Sequence, residues 1–394
     1  MIAASDMNGT DSQSALAYLA FCQQHEGEML SLLRKMVEIE SPSDDKAAVD
    51  RMGEFLAEAF EGLGGQVTFY LQEAAGNHLK AEFAGGASDG AGKPVLLLGH
   101  FDTVWPMGTL ANMPFRMEAG RAFGPGVYDM KAGIAMMIFA LRGLKESGAA
   151  HRPVTILLDT DEEVGSTTGR PIVEATAKDC EAVLVLEPSQ GPQGHLKTSR
   201  KGVGDMTIRV RGRASHSGVD FEKGRSAIVE LARQLLEIVK FTDLVRGITV
   251  NPGVIQGGTR SNVIAAEAWA EVDLRIARAA DATELEKKFA ALKPFDSDCS
   301  IEMSGGINRP PMERTEGTVR LFNLARDIAT TMRWKLEESS TGGGSDGNFT
   351  SALGVPTLDG LGALGEGAHA PHESVVIQEL PQRTALLTTL IQSL

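Results

Sequence analysis

Residues Pro94 to Leu98 form an unbroken apolar run that stops at Gly99-His100-Phe101-Asp102-Thr103-Val104. A strand without polar interruption has to be covered on both faces, as happens inside a parallel sheet flanked by helices. The chain repeats the device at Val154 to Asp159 and Ala182 to Leu186, with helical spacing at Lys131 to Lys145 and Arg170 to Ala177. Gln66 to Leu71 and His78 to Phe83 are also strand-like. Residues 14 to 62 read as two helices broken at Glu40-Ser41-Pro42-Ser43. The alternation predicts an α/β domain whose mostly parallel mixed sheet carries helices on both faces.

The texture changes near residue 201. From Gly204 to Arg211, Met206, Ile208 and Val210 alternate with Thr207, Arg209 and Arg211, the pattern of a half-exposed strand. A helix at Ser226 to Lys240 follows, then strands at Ile248 to Ile255 and Ala266 to Ile276, a helix at Ala282 to Leu292 and a strand at Cys299 to Ser304. The order β-α-β-β-α-β is that of a ferredoxin-like α+β module. We therefore expect residues 201–312 to be inserted into a domain formed by residues 1–200 and 313–394.

Composition narrows the function classes. The chain has 394 residues, 42% hydrophobic and 23% charged, with a formal net charge of −14 and no run of Lys or Arg. That argues against a nucleic-acid partner. Cys22, Cys180 and Cys299 are odd in number and widely spaced, so neither a disulfide framework nor a thiolate metal site is expected. The stretch Met1 to Ser14 is polar and lacks a signal-peptide pattern, and apolar runs such as Ile134 to Leu141 are too short to span a bilayer. No membrane partner and a cytoplasmic location are the expectation.

The chemistry lies at strand ends. Side chains two apart on a strand share a face, so His100 and Asp102 can touch, and a carboxylate beside an imidazole is the usual partner of a metal-binding histidine. Asp129 sits in a glycine-rich turn that opens a helix, Glu162 and Glu163 follow the strand at Thr155 to Leu158, and Glu187 ends the strand at Val183 to Leu186. His369 lies in Gly367-Ala368-His369-Ala370-Pro371-His372-Glu373. Each has a plain reading alone: Asp129 as a helix cap, Glu162-Glu163 as a solvated acidic pair, Glu187-Pro188 as a strand-ending dipeptide, His369 as loop surface. Together with His100-x-Asp102 they point to a two-metal hydrolase centre. Three carboxylates, a hydroxide and two neutral imidazoles balance two divalent cations, and this mixed donor set suits zinc, with cobalt or manganese as alternatives. Glu162 is then left as general base.

These segments resemble the co-catalytic metallopeptidase family that includes glutamate carboxypeptidase, aminoacylase-1, acetylornithine deacetylase and succinyl-diaminopimelate desuccinylase. The motifs stand as GHFDTV at 99–104, GPGVYDMKAG at 124–133, DTDEEVGS at 159–166, VLVLEPS at 183–189, ASHSG at 214–218, GGGSDGNF at 342–349 and AHAPHES at 368–374. The resemblance implies that His100, Asp129, Glu163, Glu187 and His369 bind two metals, with Asp129 shared. It implies that Asp102 orients His100, that Glu162 is the base, and that a cis peptide follows Asp129. On the inserted lid or dimerisation module, His216 would stabilise the oxyanion, often from the partner subunit of a homodimer. Asn262, Arg309, Gly344 and Ser345 would contact substrate. Ala132 and Ser374 depart from the family pattern. The resemblance implies hydrolysis of a small peptide or N-acyl amino acid next to a free carboxylate, and the stretch 102–110 with Pro114-Phe115-Arg116, most similar to glutamate-carboxypeptidase-like members, puts a C-terminal glutamate first. Deacylation of N-acyl amino acids is the alternative.

Two rivals compete with this reading. Gly343-Gly344-Ser345-Asp346-Gly347 fits the Gly-x-Ser-x-Gly elbow of a serine hydrolase, with Asp359 and His369 following in the right order. Only 47 residues follow Gly347, however, and the elbow leaves the acidic sites unused. A non-catalytic metabolite-binding relative is the second rival. The presence of Glu162 argues against it, because a binding protein needs no base there.

Overall fold

The computed structural model describes residues 9–86 and 92–394. Residues 1–8 of the polar N-terminal stretch lie outside the described residues. The chain divides into two units: one takes the described residues up to Ser199 together with Arg314–Thr341 and Ser345–Leu394, the other Arg200–Glu313 and Gly342–Gly344.

The first unit is built on a six-stranded mixed sheet. Its strands are β1 (Gln66–Tyr70), β2 (His78–Phe83), β3 (Val95–His100), β4 (Val154–Asp159), β5 (Ala182–Val185) and β6 (Thr357–Leu358), in the order β1-β2-β4-β3-β5-β6. From β4 to β6 the pairs are parallel, while β1–β2 and β2–β4 are antiparallel. Every residue of β3, β4 and β5 is buried. One face packs on a core that includes Leu97, Ile134, Ile156, Leu184 and Leu387, the other on Leu96, Leu157, Val173, Val183 and Phe349. This two-sided burial is what their unbroken apolar sequences call for.

Several boundaries differ from expectation. β3 runs on through His100, so the histidine is the last strand residue rather than the first of the loop. The N-terminal region holds three helices, Gly9–Gln24, Glu26–Glu38 and Lys46–Gly62, because the apolar spacing continues across the break at His25. Trp334 to Glu338 is not a strand; the strand is Glu338–Thr341, paired with Leu196–Arg200. A small antiparallel sheet, Gly365–Glu366, Ser374–Val376, Arg121–Phe123 and Arg116–Glu118, has no counterpart in the sequence reading. Strands of two or three residues are too short to show a period.

Arg383 ties part of this unit together. Its guanidinium is buried, donates to the carbonyls of Gly194, Gly360 and Gly362, and stacks 5.3 Å from the Trp334 ring centroid. Replacing Arg383 by Met keeps the apolar stem but leaves these carbonyls without their donor. A loss of about 3 kcal/mol is expected, read as a lower urea midpoint.

The second unit is a four-stranded antiparallel sheet in the order Thr249–Gly257, Glu267–Ile276, Gly202–Arg211, Ser300–Arg309, with helices at Ala227–Ile238 and Ala279–Ala290. Numbered within the unit, the order is 2-3-1-4, the ferredoxin-like arrangement. Met206, Ile208 and Val210 enter its core with Leu231, Leu285 and Phe289, as the alternation along the first strand requires.

Candidate metal centre

His100, Glu163 and Glu187 all come from the carboxyl ends of parallel strands, where an open α/β sheet gathers its ligands. His100 closes β3, Glu187 lies two residues beyond β5, and Glu162 and Glu163 occupy a single helical turn, Glu162–Val164, just after β4. Asp129 comes from the turn between Arg121–Phe123 and the helix Ala132–Ser147. Its own φ and ψ of −115° and 94° are not helical, and the Asp129–Met130 peptide is cis, as the resemblance implies. His369 sits in the loop between Gly365–Glu366 and Ser374–Val376 with a φ of 61°, a left-handed conformation that a non-glycine residue adopts at a cost and that recurs at functional sites.

The side chains form two groups that share Asp129: His100, Asp129 and Glu187 in one, Asp129, Glu163 and His369 in the other. His100 Nε2 lies 3.3 Å from Asp129 Oδ1 and 3.5 Å from Glu187 Oε1. His369 Nε2 lies 3.4 Å from Asp129 Oδ2 and 3.1 Å from Glu163 Oε2. The two oxygens of Asp129 thus serve different groups. Two atoms that each stand about 2.1 Å from a tetrahedral ion are themselves about 3.4 Å apart. The observed separations are of that size, and most are long for a direct hydrogen bond. The donor set therefore fits divalent cations.

Asp102 is fully buried. Its Oδ1 stands 3.3 Å from His100 Nδ1, which also meets the Asp102 carbonyl oxygen at 3.1 Å. Asp102 Oδ2 accepts from Ser43 Oγ at 2.7 Å and from the Glu163 backbone N–H at 3.3 Å. Burial disfavours a charged His100, yet the carboxylates of Asp102, Asp129 and Glu187 hold its pKa well above the usual imidazole range. Asp129 and Glu163 likewise raise His369 to about 10 against a weaker desolvation effect. Asp129 is held below its ordinary range because the two imidazoles outweigh its burial, whereas burial pushes Glu163 up. The two raised histidines report the dense negative charge around them, which calls for cations.

The other expected site residues fall elsewhere. Glu162 is half-buried on the same turn as Glu163. His216, Asn262, Arg309 and Gly344 belong to the second unit. There His216 is exposed, with Nδ1 accepting from the Gly218 N–H at 3.1 Å, and the exposed Asn262 accepts through its carbonyl from Ser217 N–H. Arg309 is buried at the end of its strand, and a Cβ on Gly344 would meet Arg309 Cδ at 3.0 Å.

Ser345 is fully buried, and its hydroxyl donates to Asp359 Oδ2 at 2.6 Å while accepting from Gly347 N–H. His369 meets Asp129 and Glu163 instead. The elbow sequence thus builds a closed loop in which the serine hydroxyl holds its own backbone. The sequence reading assigned no role to Glu373, Trp105 or Ser43. Of these only Glu373 lay inside a motif, and nothing in that motif marks it as buried.

The model for "Peptidase family M20/M25/M40" matches residues 96–393. Carboxypeptidase G2 of Pseudomonas sp. (strain RS-16) is 31% identical over 376 residues, covering 93% of this chain and 89% of that protein. Succinyl-diaminopimelate desuccinylase of Xanthomonas oryzae pv. oryzae is 30% identical over 330 residues, covering 78% of this chain and 86% of that protein. Among solved structures, the M20 family metallo-carboxypeptidase Sso-CP2 of Sulfolobus solfataricus superposes with a TM-score of 0.73 at 18% identity, covering 93% of this chain and 98% of its own. The aminopeptidase PepT of Bacillus cereus gives 0.76 at 20%, with the same coverage.

Proposed function

The chain belongs to peptidase family M20/M25/M40, whose members are metal-dependent hydrolases, and from that membership we propose that it cleaves an amide bond next to a free carboxylate, releasing a C-terminal amino acid such as glutamate. The observation that carries the reading is the pair of ligand groups meeting at the two oxygens of Asp129. In this proposal His100, Asp129 and Glu187 hold one cation and Asp129, Glu163 and His369 the other, with zinc the best match to the mixed imidazole and carboxylate donors. Two such cations would supply Lewis-acid chemistry toward an acyl oxygen and a water molecule when bound.

The protein's own groups do the rest. Asp102 and the Ser43 hydroxyl bonded to it fix the orientation of the His100 ring. Glu162 takes the proton from the attacking water and returns it to the leaving nitrogen. On the second unit, His216 donates to the developing oxyanion, Asn262 contacts the scissile group, and Arg309 pairs with the terminal carboxylate, which a planar guanidinium engages through two parallel bonds. Gly344 and the backbone at Ser345 complete the substrate loop. We also assign this unit a homodimer interface. Support comes from the edge position of Thr249–Gly257 and the exposed Val254 and Ile255 on it, since unpaired edges invite a second strand.

Glutamate is the first choice because the stretch 102–110 with Pro114-Phe115-Arg116 is most similar to glutamate-carboxypeptidase-like members and the similarity to carboxypeptidase G2 covers 93% of the chain. The desuccinylase relatives favour the second reading, removal of an acyl group from an amino acid. The test is a panel of dipeptides and N-acyl amino acids assayed with the zinc-loaded protein. C-terminal glutamate substrates are expected to give the highest kcat/KM, and amidation of the terminal carboxylate is expected to abolish turnover. Preference for N-succinyl or N-acetyl amines would favour the deacylase reading. No hydrolysis of any member would overturn both.

A further inference from the structure

Glu373 lies four residues after His369 and directly before the strand Ser374–Val376, and its side chain is wholly shut off from solvent. A buried carboxylate needs compensation, and here four N–H groups supply its hydrogen bonds, with the buried Lys131 acting on it electrostatically. Oε2 accepts from the Trp105 indole at 2.7 Å and from Gly126 N–H at 2.9 Å. Oε1 accepts from Tyr128 N–H at 2.8 Å and from Asp129 N–H at 3.0 Å.

These donors belong to two separate segments. Trp105 follows the His100–Asp102 loop, and the other three line the turn that presents Asp129. The small sheet already sets Ser374 opposite Phe123, so the backbone brings the His369 loop beside the strand leading into that turn. It does not fix the turn itself. That turn has Gly126 at a φ of 69°, where a Cβ would come within 2.6 Å of Thr103 Cγ2. The N–H groups of Tyr128 and Asp129 both point at Glu373. One carboxylate thus joins the loop after His100, the turn with Asp129 and the loop with His369.

We propose that Glu373 is a positioning residue that sets the spacing of the two ligand groups by holding the Asp129 backbone while carrying His369 on its own loop. This rests on the two-cation reading above. Glu373 touches neither substrate nor cation; it acts through Asp129, with Trp105 completing its set of donors.

Glu373→Gln keeps the shape of the side chain but turns one acceptor oxygen into a donor. Either way the amide faces, its NH2 meets two N–H groups, so two of the four bonds are lost. The readout is Co²⁺ affinity, measured by competition with a chromophoric chelator, alongside circular dichroism and the melting temperature. The expected result is a folded variant whose Co²⁺ affinity falls about 10–100-fold, the usual cost of losing a partner behind a metal ligand. Trp105→Phe removes one donor and should give a smaller loss in the same direction, with the double variant no worse than Glu373→Gln alone. If wild type binds two Co²⁺ ions and the folded Glu373→Gln protein binds both equally well, this inference is overturned while the cation reading stands. If wild type binds no pair, both fall. Should Glu373→Gln fail to fold, Trp105→Phe decides, and unchanged Co²⁺ affinity there overturns the proposal.

Discussion

Glu162→Gln should lower kcat by about 10²–10⁴-fold while leaving metal content, melting temperature and KM close to wild type. The isosteric amide cannot take a proton from water or return one to a leaving nitrogen. It changes no residue of either ligand group, which are formed by His100, Asp129, Glu163, Glu187 and His369. Glu162 shares the turn Glu162–Val164 with Glu163, so the same variant also tests whether adjacent carboxylates have separate duties. If Glu163 were the base and Glu162 a ligand, Glu162→Gln would lose metal together with activity. Elemental analysis beside steady-state kinetics separates the two outcomes. A variant within tenfold of wild type would remove Glu162 from the mechanism.

His100, Glu163 and Glu187 could be grouped from sequence because each is a chemically distinctive residue at or just past a strand end, and strand ends in an open sheet converge by topology. Periodicity placed β3, β4 and β5 to within two residues, and the alternation at Met206, Ile208 and Val210 gave the sheet face of the second unit directly. What stayed hidden depends on contacts that carry no local signature. Glu373 reads as an ordinary loop carboxylate until the fold brings it the N–H groups of Gly126, Tyr128 and Asp129. Backbone donors look alike in every sequence. The two- and three-residue strands of the small sheet are set by their partners, not by their own propensities.

The elbow pattern at Gly343–Gly347 shows the opposite failure. Its spacing is right, but spacing does not encode burial, and the Ser345 hydroxyl is committed to Asp359. His25 likewise ends one helix and precedes another without disturbing the apolar spacing around it. The features that escaped detection are those fixed by tertiary contacts, and one of them, Glu373, lies against the turn that presents Asp129. Such a contact joins segments far apart in the chain, so no local pattern announces it.

Asp129→Ala and His369→Ala should differ in how many ions they cost, and the difference tests whether the centre is dinuclear. Asp129 directs Oδ1 toward His100 and Oδ2 toward His369, so its loss removes a donor from both groups at once. It also leaves Glu163 and Glu187 without the shared charge that balances two cations. The expected metal content after dialysis is below one ion per chain. Hydrolysis should fall by at least about 10³-fold, because several kcal/mol of transition-state stabilisation goes with the ions. His369 serves only the group with Glu163 and is half-exposed, whereas His100 is buried in the other. His369→Ala should therefore retain one tightly held ion and lose the second. A single-ion centre would instead give no more than one ion per chain already in the wild type, whichever group holds it. In that case Asp129 would be an ordinary ligand, and its two oxygens would no longer need separate partners.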